Sequence, residues 1–130
     1  MKKKNIFKIF KISIYNRDLL IACCNETDEI VAYLKKNKKL GKEITDRLGR
    51  KEIEEVGHMS GAVLNNIETK VPVILFMKNM KRDWYFWETL LHEITHIVHT
   101  LSRKGGFEDE TEHKAYLTEY LFREIRRILQ

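Results

Sequence analysis

The chain has 130 residues, of which 43% are hydrophobic, 33% charged and 10% aromatic, and its formal net charge is +5. This length and composition predict a single small domain over residues 1–130 and exclude multidomain, collagen-like and disordered chains. No apolar run approaches the roughly 20 residues of a membrane-spanning helix, and lysines interrupt the N-terminal apolar residues, so we expect neither a membrane partner nor secretion. The adjacent Cys23 and Cys24 offer no disulfide framework, which favours a reducing cytoplasm.

The first predicted elements are two strands and a helix. Residues Phe7–Tyr15 alternate between apolar and polar side chains, as in a half-buried strand, and Leu19–Cys24 is a continuous apolar run typical of a buried strand. Asn25 or Thr27 is a suitable cap for a helix that runs to about Asn37. The N-terminal part is therefore predicted to be an α/β segment.

A lysine-rich segment follows. Residues 38–57 are ambiguous, with a short helix predicted around Lys51–Val56. Residues 84–130 hold 6 basic and 8 acidic side chains, so a net charge of +7 lies in residues 1–83, including the basic cluster Lys35–Lys51. Such a surface attracts phosphate, but the cluster has no interleaving of aromatic or arginine residues that suggests base readout. We therefore expect a solvated face and no nucleic-acid partner.

Two further strands are predicted at Ser60–Ile67 and Val71–Lys78. Pro72 near the start of the second is compatible with a position that needs no ladder donor. With the N-terminal strands they predict a small mixed sheet of three to four strands. The fold class is therefore α+β.

The C-terminal third predicts two amphipathic helices. Asp83 is a good N-cap for a helix over Trp84–Leu101 that ends at a Gly-Gly pair, and a second helix starts near Asp109 or Glu110 and runs to Gln130. The aromatic residues Trp84, Phe86 and Trp87 at the start of the first helix are interpreted as core and helix anchor. The predicted core face of this helix comprises Phe86, Trp87, Leu90, Leu91, Ile94, Ile97, Val98 and Leu101. The opposite face holds Tyr85, Glu88, Thr89, His92, His96 and His99.

The residues His92-Glu93-Ile94-Thr95-His96 form an HExxH motif inside the first of these helices. Residues i and i+4 stack one turn apart on one helix face, so the two imidazoles can converge on one Zn²⁺. Glu93 lies about 100° around the helix, where a carboxylate reaches a reacting water without being a ligand. The motif therefore predicts a zinc site with Glu93 as general base.

A third ligand is expected from the start of the second helix. If that helix folds back on the first, Glu110 or Glu112 is favoured over the more distant Glu119. Glu112 is the best placed and His113 the second choice, with Glu108 and Asp109 as the other nearby donors. Four more residues are expected in outer contacts or in stabilising a reacting carbonyl, and they are Tyr85, Glu88, His99 and Tyr116.

The string HEITHIVHT followed by EHKAYLTEYLFREI resembles the small zincin-like metallopeptidases encoded by tailed bacteriophages. The likeness covers roughly residues 84–127 and matches a Glu followed by Ala-Tyr-Leu and a second aromatic-Leu pair. It implies a minimal zincin-like domain, in which the sheet packs on the HExxH helix and the C-terminal helix supplies the third ligand. The gluzincin-type site that it implies has zinc ligands His92, His96 and Glu112 and catalytic Glu93.

The motif and the resemblance together predict a zinc metallopeptidase that hydrolyses peptide bonds by a zinc-activated water, with Glu93 as general base. Its expected partners are a peptide or protein substrate, held along Ser60–Ile67, and phage virion or assembly proteins. The expected location is the bacterial host cytoplasm or the virion. One alternative is a phage structural or assembly protein that keeps the metal for stability. A second alternative, a basic nucleic-acid-binding module, leaves the HExxH motif unexplained.

Overall fold

The computed structural model describes residues 4–36, 53–64, 73–106 and 109–130. The chain forms two compact units, Met1–Met80 and Lys81–Gln130. The first contains a β-sheet and a helix, and the second contains two long helices. The organisation of residues 1–130 as one domain stays a prediction.

The sheet has four strands, β1 (Ile6–Ile12), β2 (Arg17–Cys24), β3 (Gly61–Leu64) and β4 (Val73–Lys78). Their order is β1-β2-β4-β3, with β2 and β4 parallel and the other two pairs antiparallel. The predicted α+β class and small mixed sheet are confirmed. The apolar residues Leu19–Cys24 are fully buried, as expected for a strand with neighbours on both sides.

The first predicted strand is too long at its C-terminal end. Residues Ser13–Tyr15 form a 3-10 turn, and Asn16 adopts a left-handed conformation with φ of 48°. The chain reverses there, so that Ile12 pairs with Arg17. Asparagine tolerates the left-handed region better than most residues, which explains why this alternating segment ends in a turn.

The predicted N-terminal helix is present as α1 (Asp28–Lys36), directly after Thr27, whose carbonyl accepts hydrogen bonds from the backbone N–H of Ile30 and Val31. Acidic residues in its first turn and lysines in its last turn match the helix dipole. The helix packs on one face of the sheet. The buried cluster there comprises Leu20, Ala22, Cys24, Ile30, Val31, Leu34, Ile53, Ala62, Ile74 and Phe76.

Several predictions fall partly outside the described residues. Residues 53–55 are helical, in agreement with the short helix predicted near them. Residues 37–52, with most of the basic cluster, and residues 65–72, with Pro72 and the ends of two predicted strands, lie outside the described ranges. Within residues 4–36, 53–64, 73–106 and 109–130, every helix is too short or too polar to cross a membrane.

The buried cysteines give the first testable prediction. Cys23 and Cys24 are buried thiols in β2, and burial, reinforced by the nearby Glu29 carboxylate, raises the pKa of the Cys24 thiol to about 12. Only the thiolate attacks disulfide reagents, so we expect both thiols to resist Ellman's reagent in the native protein at about pH 8. The unfolded protein should react at both cysteines within minutes. Rapid labelling of the native protein, measured by absorbance, contradicts the buried placement.

The second unit is a pair of helices, α2 (Trp84–Lys104) and α3 (Thr111–Leu129). The predicted N-cap of α2 is confirmed, because the Asp83 carboxylate accepts a hydrogen bond of 3.1 Å from the backbone N–H of Phe86. Such a cap stabilises a helix by about 1 kcal/mol. Beyond the helix, Gly106 has φ of 77°, a conformation that strongly favours glycine.

The two helices form an antiparallel hairpin. Arg82 donates a hydrogen bond of 2.9 Å from Nε to the carbonyl oxygen of Leu129, and the Arg126 guanidinium lies 5.3 Å from the ring centroid of Trp87. Both contacts join the start of α2 to the end of α3. Continuing this register at about 1.5 Å per residue places Tyr116 and Tyr120 of α3 roughly level with the two histidines of the HExxH motif.

Most of the predicted core face of α2 is confirmed. Phe86, Leu90, Ile94, Ile97, Val98 and Leu101 are buried. Leu91 and Trp84 are exposed, so their predicted burial is wrong, and Trp87 is only half-buried. Leu91 lies at the edge of the predicted face and Trp84 in the first helical turn, and helical periodicity does not show how far the surrounding structure covers such positions.

Candidate metal centre

The two histidines of the HExxH motif lie on the exposed face of α2. His92 and His96 are one turn apart, their ring centroids are separated by 4.9 Å, and the ring planes are inclined by 78°. The two Nε2 atoms are 3.2 Å apart. The helix therefore brings the two Nε2 atoms close to each other.

This spacing fits a metal ion. Two nitrogens bound to one tetrahedral zinc at about 2.0 to 2.1 Å are separated by roughly 3.3 Å. The observed 3.2 Å between the Nε2 atoms is close to that value. When no metal is bound, the same distance suits a hydrogen bond in which one ring donates and the other accepts. The separation of the two nitrogens is therefore compatible with two ligand positions of a tetrahedral zinc site.

Glu93 differs from both histidines in being buried, with only 8% of its surface exposed. Burial raises the pKa of its carboxyl above the ordinary value, and the neighbouring His92 and His96 oppose part of that rise. A shielded carboxylate of raised basicity beside two histidines is suited to accept a proton. Its burial was not predicted from the sequence, although its position at the boundary of the core face was a usable signal.

Among the described residues, the structure does not bring a third metal ligand to the histidine pair. Among the side chains in the described ranges, no group of three or more His, Cys, Asp and Glu is close enough to hold a metal ion. Glu112 is exposed in the first turn of α3 and lies about one turn, roughly 6 Å, nearer the connection than the level of His96. Its assignment as a zinc ligand, and the alternatives His113 and Glu119, stay predictions.

The other predicted site residues lie on the two helices of the hairpin. Tyr85 and Glu88 are exposed on α2 before His92, and His99 is exposed about one turn after His96. Tyr116 is exposed on α3. The structure thus places all four at the surface of this unit. Their predicted roles in outer contacts or carbonyl stabilisation stay predictions.

Two threonines on α2 have their hydroxyls engaged by the helix backbone. Thr89 donates to the carbonyl of Tyr85 at 2.8 Å, and Thr95 donates to the carbonyl of Leu91 at 2.9 Å. These contacts satisfy the hydroxyl donors locally.

The third ligand can be identified by comparing three single variants. Glu112→Gln should weaken zinc binding by more than about tenfold, because an amide is a much poorer zinc ligand than a carboxylate. His113→Ala and Glu119→Gln should leave the affinity nearly unchanged. The dissociation constants are measured by competition with a zinc-binding dye. A large loss in either of the latter variants, with none in Glu112→Gln, identifies a different ligand.

Comparisons of the chain with protein-family models, with curated proteins and with solved structures gave no match.

Proposed function

We propose that the protein is a zinc-dependent peptidase whose site is built on α2. The observation that carries this proposal is the 3.2 Å separation of the His92 and His96 Nε2 atoms, combined with the buried carboxylate of Glu93 between them in sequence. A purely structural zinc site needs only ligands. The shielded Glu93 therefore favours hydrolysis over a structural role.

Each residue has a distinct part in the proposed reaction. His92, His96 and a carboxylate from α3, with Glu112 the first choice, would hold the zinc ion. When bound, zinc supplies a Lewis acid that lowers the pKa of water and polarises a peptide carbonyl. Glu93 accepts a proton from the attacking water and delivers it to the leaving amine nitrogen. Exposed Tyr116 or Tyr85 donates a hydrogen bond to the carbonyl oxygen as negative charge develops there.

The proposed substrate is a peptide, and within the first unit β3 is the strand proposed to bind an extended chain. β3 pairs with β4 on one side and is the last strand of the described sheet. Backbone groups on the outer side of an edge strand can pair with an added strand. This placement supports the proposed role of the strand in substrate binding.

The proposed fold assignment is a minimal zincin-like domain, based on the HExxH helix followed by a second helix and on the mixed sheet. The resemblance to phage metallopeptidases supports a phage origin, with activity in the host cytoplasm or on the virion. The alternative, a phage structural protein that keeps zinc for stability, predicts metal binding without turnover.

Metal analysis and a cleavage assay test the proposal together. The purified protein should contain one zinc per chain by mass spectrometry and should cleave members of a broad peptide library. Treatment with 1,10-phenanthroline should abolish cleavage, and added zinc should restore it. Stoichiometric zinc with no cleavage of any peptide supports the structural alternative. A protein that binds no zinc contradicts both.

A further inference from the structure

Arg17, the first residue of β2, has a buried hydrogen-bonding edge. Its Nε and Nη2 atoms expose essentially no surface, and neither has a hydrogen-bond partner within residues 4–36, 53–64, 73–106 and 109–130. A guanidinium group stays charged at every pH at which proteins fold. Burial of a charged donor without an acceptor costs free energy, so these two nitrogens require a partner.

The strand places Arg17 beside apolar side chains. Side chains alternate along a strand, so Arg17 shares one face of β2 with Leu19, and Ile12, which pairs with Arg17 in the register of β1 and β2, lies on the same face. Leu19 and Ile12 are fully buried. The next residue, Asp18, is exposed on the opposite face, where it pairs with Lys11 in the register. The carboxylate nearest along the chain is therefore directed away from the guanidinium.

The two buried nitrogens are the matched pair for an oxyanion. Nε and Nη2 lie on the same edge of the planar guanidinium, so their N–H bonds are nearly parallel. Two oxygens of one carboxylate or phosphate group accept from such an edge at the same time. A water molecule also accepts hydrogen bonds there, but it leaves the buried charge uncompensated. An oxyanion satisfies both donors and neutralises the charge.

We infer that Arg17 binds an oxyanion, a carboxylate or phosphate group, through Nε and Nη2. The site lies in the first unit and does not depend on the proposed function of the histidine pair. The turn at Ser13–Tyr15 and the pairing with Ile12 hold the backbone of Arg17 before the anion binds, which reduces the entropy lost on binding. Arg17 is only half-buried as a whole residue, so part of its side chain reaches the surface, where a small anion can approach.

Titration with acetate and with inorganic phosphate, each at constant ionic strength maintained with chloride, tests the inference. Both anions present the required pair of oxygens, and the one with the lower dissociation constant identifies the preferred group. The ¹H–¹⁵N resonance of the Arg17 Nε–H group should shift and reach saturation. At a tenfold excess of anion over its dissociation constant, the melting temperature should rise by about 5 °C.

The variant Arg17→Lys keeps the positive charge but lacks the parallel pair of donors. It should weaken anion binding by at least about tenfold, as judged from the dependence of melting temperature on anion concentration, because one charge-assisted hydrogen bond is lost. Arg103→Lys is the matched control, since Arg103 is exposed on α2, and its anion affinity should equal that of the native protein. Phosphate also stabilises proteins by exclusion from their surface, and that contribution should be the same in both variants.

An Arg17 Nε–H resonance that does not move, or that moves without saturation, overturns the inference. An equal rise in melting temperature in the native protein and in Arg17→Lys also overturns it. If Arg17→Lys does not fold, the titration of the native protein is decisive by itself. Neither measurement involves zinc or turnover, so the anion site can fail while the peptidase proposal stands, and the peptidase proposal can fail while the anion site stands.

Discussion

Replacing Glu93 with glutamine is expected to lower peptide turnover by at least about two orders of magnitude, while zinc content and melting temperature stay nearly unchanged. Glutamine has almost the same volume as glutamate, so the buried site is not opened. The amide cannot accept the proton of the attacking water, and a general base typically contributes a factor of about 10² to 10⁴. Steady-state kinetics, metal analysis and thermal unfolding measure the three quantities.

The matched control is Glu54→Gln, which removes an exposed carboxylate in the other unit. It should leave turnover unchanged. A Glu93→Gln protein that retains zinc and cleaves peptides at the native rate excludes Glu93 as the base. A variant that loses its fold shows that the buried carboxylate is needed for stability, and Glu93→Asp then tests the base, since it keeps the charge while withdrawing the carboxylate by one methylene.

Replacing His96 with alanine should remove both zinc binding and turnover. Only one imidazole of the converging pair is then left, and a zinc site with two protein ligands binds at least about a hundredfold more weakly than one with three. Zinc at a hundredfold excess over the dissociation constant stabilises the native protein by about 2.7 kcal/mol, and this stabilisation should disappear in the variant. Melting curves with and without zinc provide a measurement that does not depend on catalysis.

His58→Ala provides the control, because His58 is exposed in the first unit. Its zinc affinity and zinc-dependent melting shift should equal those of the native protein. If His96→Ala retains one equivalent of zinc and the same melting shift, the metal lies elsewhere. The close contact between the two imidazoles is then only a hydrogen bond between neighbouring histidines.

Local patterns in the sequence were sufficient for much of the fold. The apolar run Leu19–Cys24 predicted a buried strand, and Asp83 followed by a helical period predicted the start of α2. These features depend on interactions between residues close in the chain, or on the burial of one face. For the same reason the i, i+4 spacing of His92 and His96 was enough to predict that they converge.

Other features depended on residues far apart in the chain. The alternating residues after Ile12 were compatible with a longer strand, and the pairing of Ile12 with Arg17 required a turn instead. Helical periodicity predicted that Leu91 lies on the core face of α2 and that Glu93 lies just outside that face. In the structure, Glu93 is buried and Leu91 is exposed. A helical wheel gives direction around one helix, and burial depends on which other segments lie in that direction.

The sequence by itself therefore determined the strands, the two long helices and the histidine pair, because each arises from contacts within one element or between adjacent turns. Only the tertiary structure decided the strand order β1-β2-β4-β3, the burial of Glu93 and the register of α3 against α2. That register sets Glu112 about one turn along the hairpin from the level of His96. Pairing between distant segments depends on the packing of whole surfaces, which no local pattern of residues encodes.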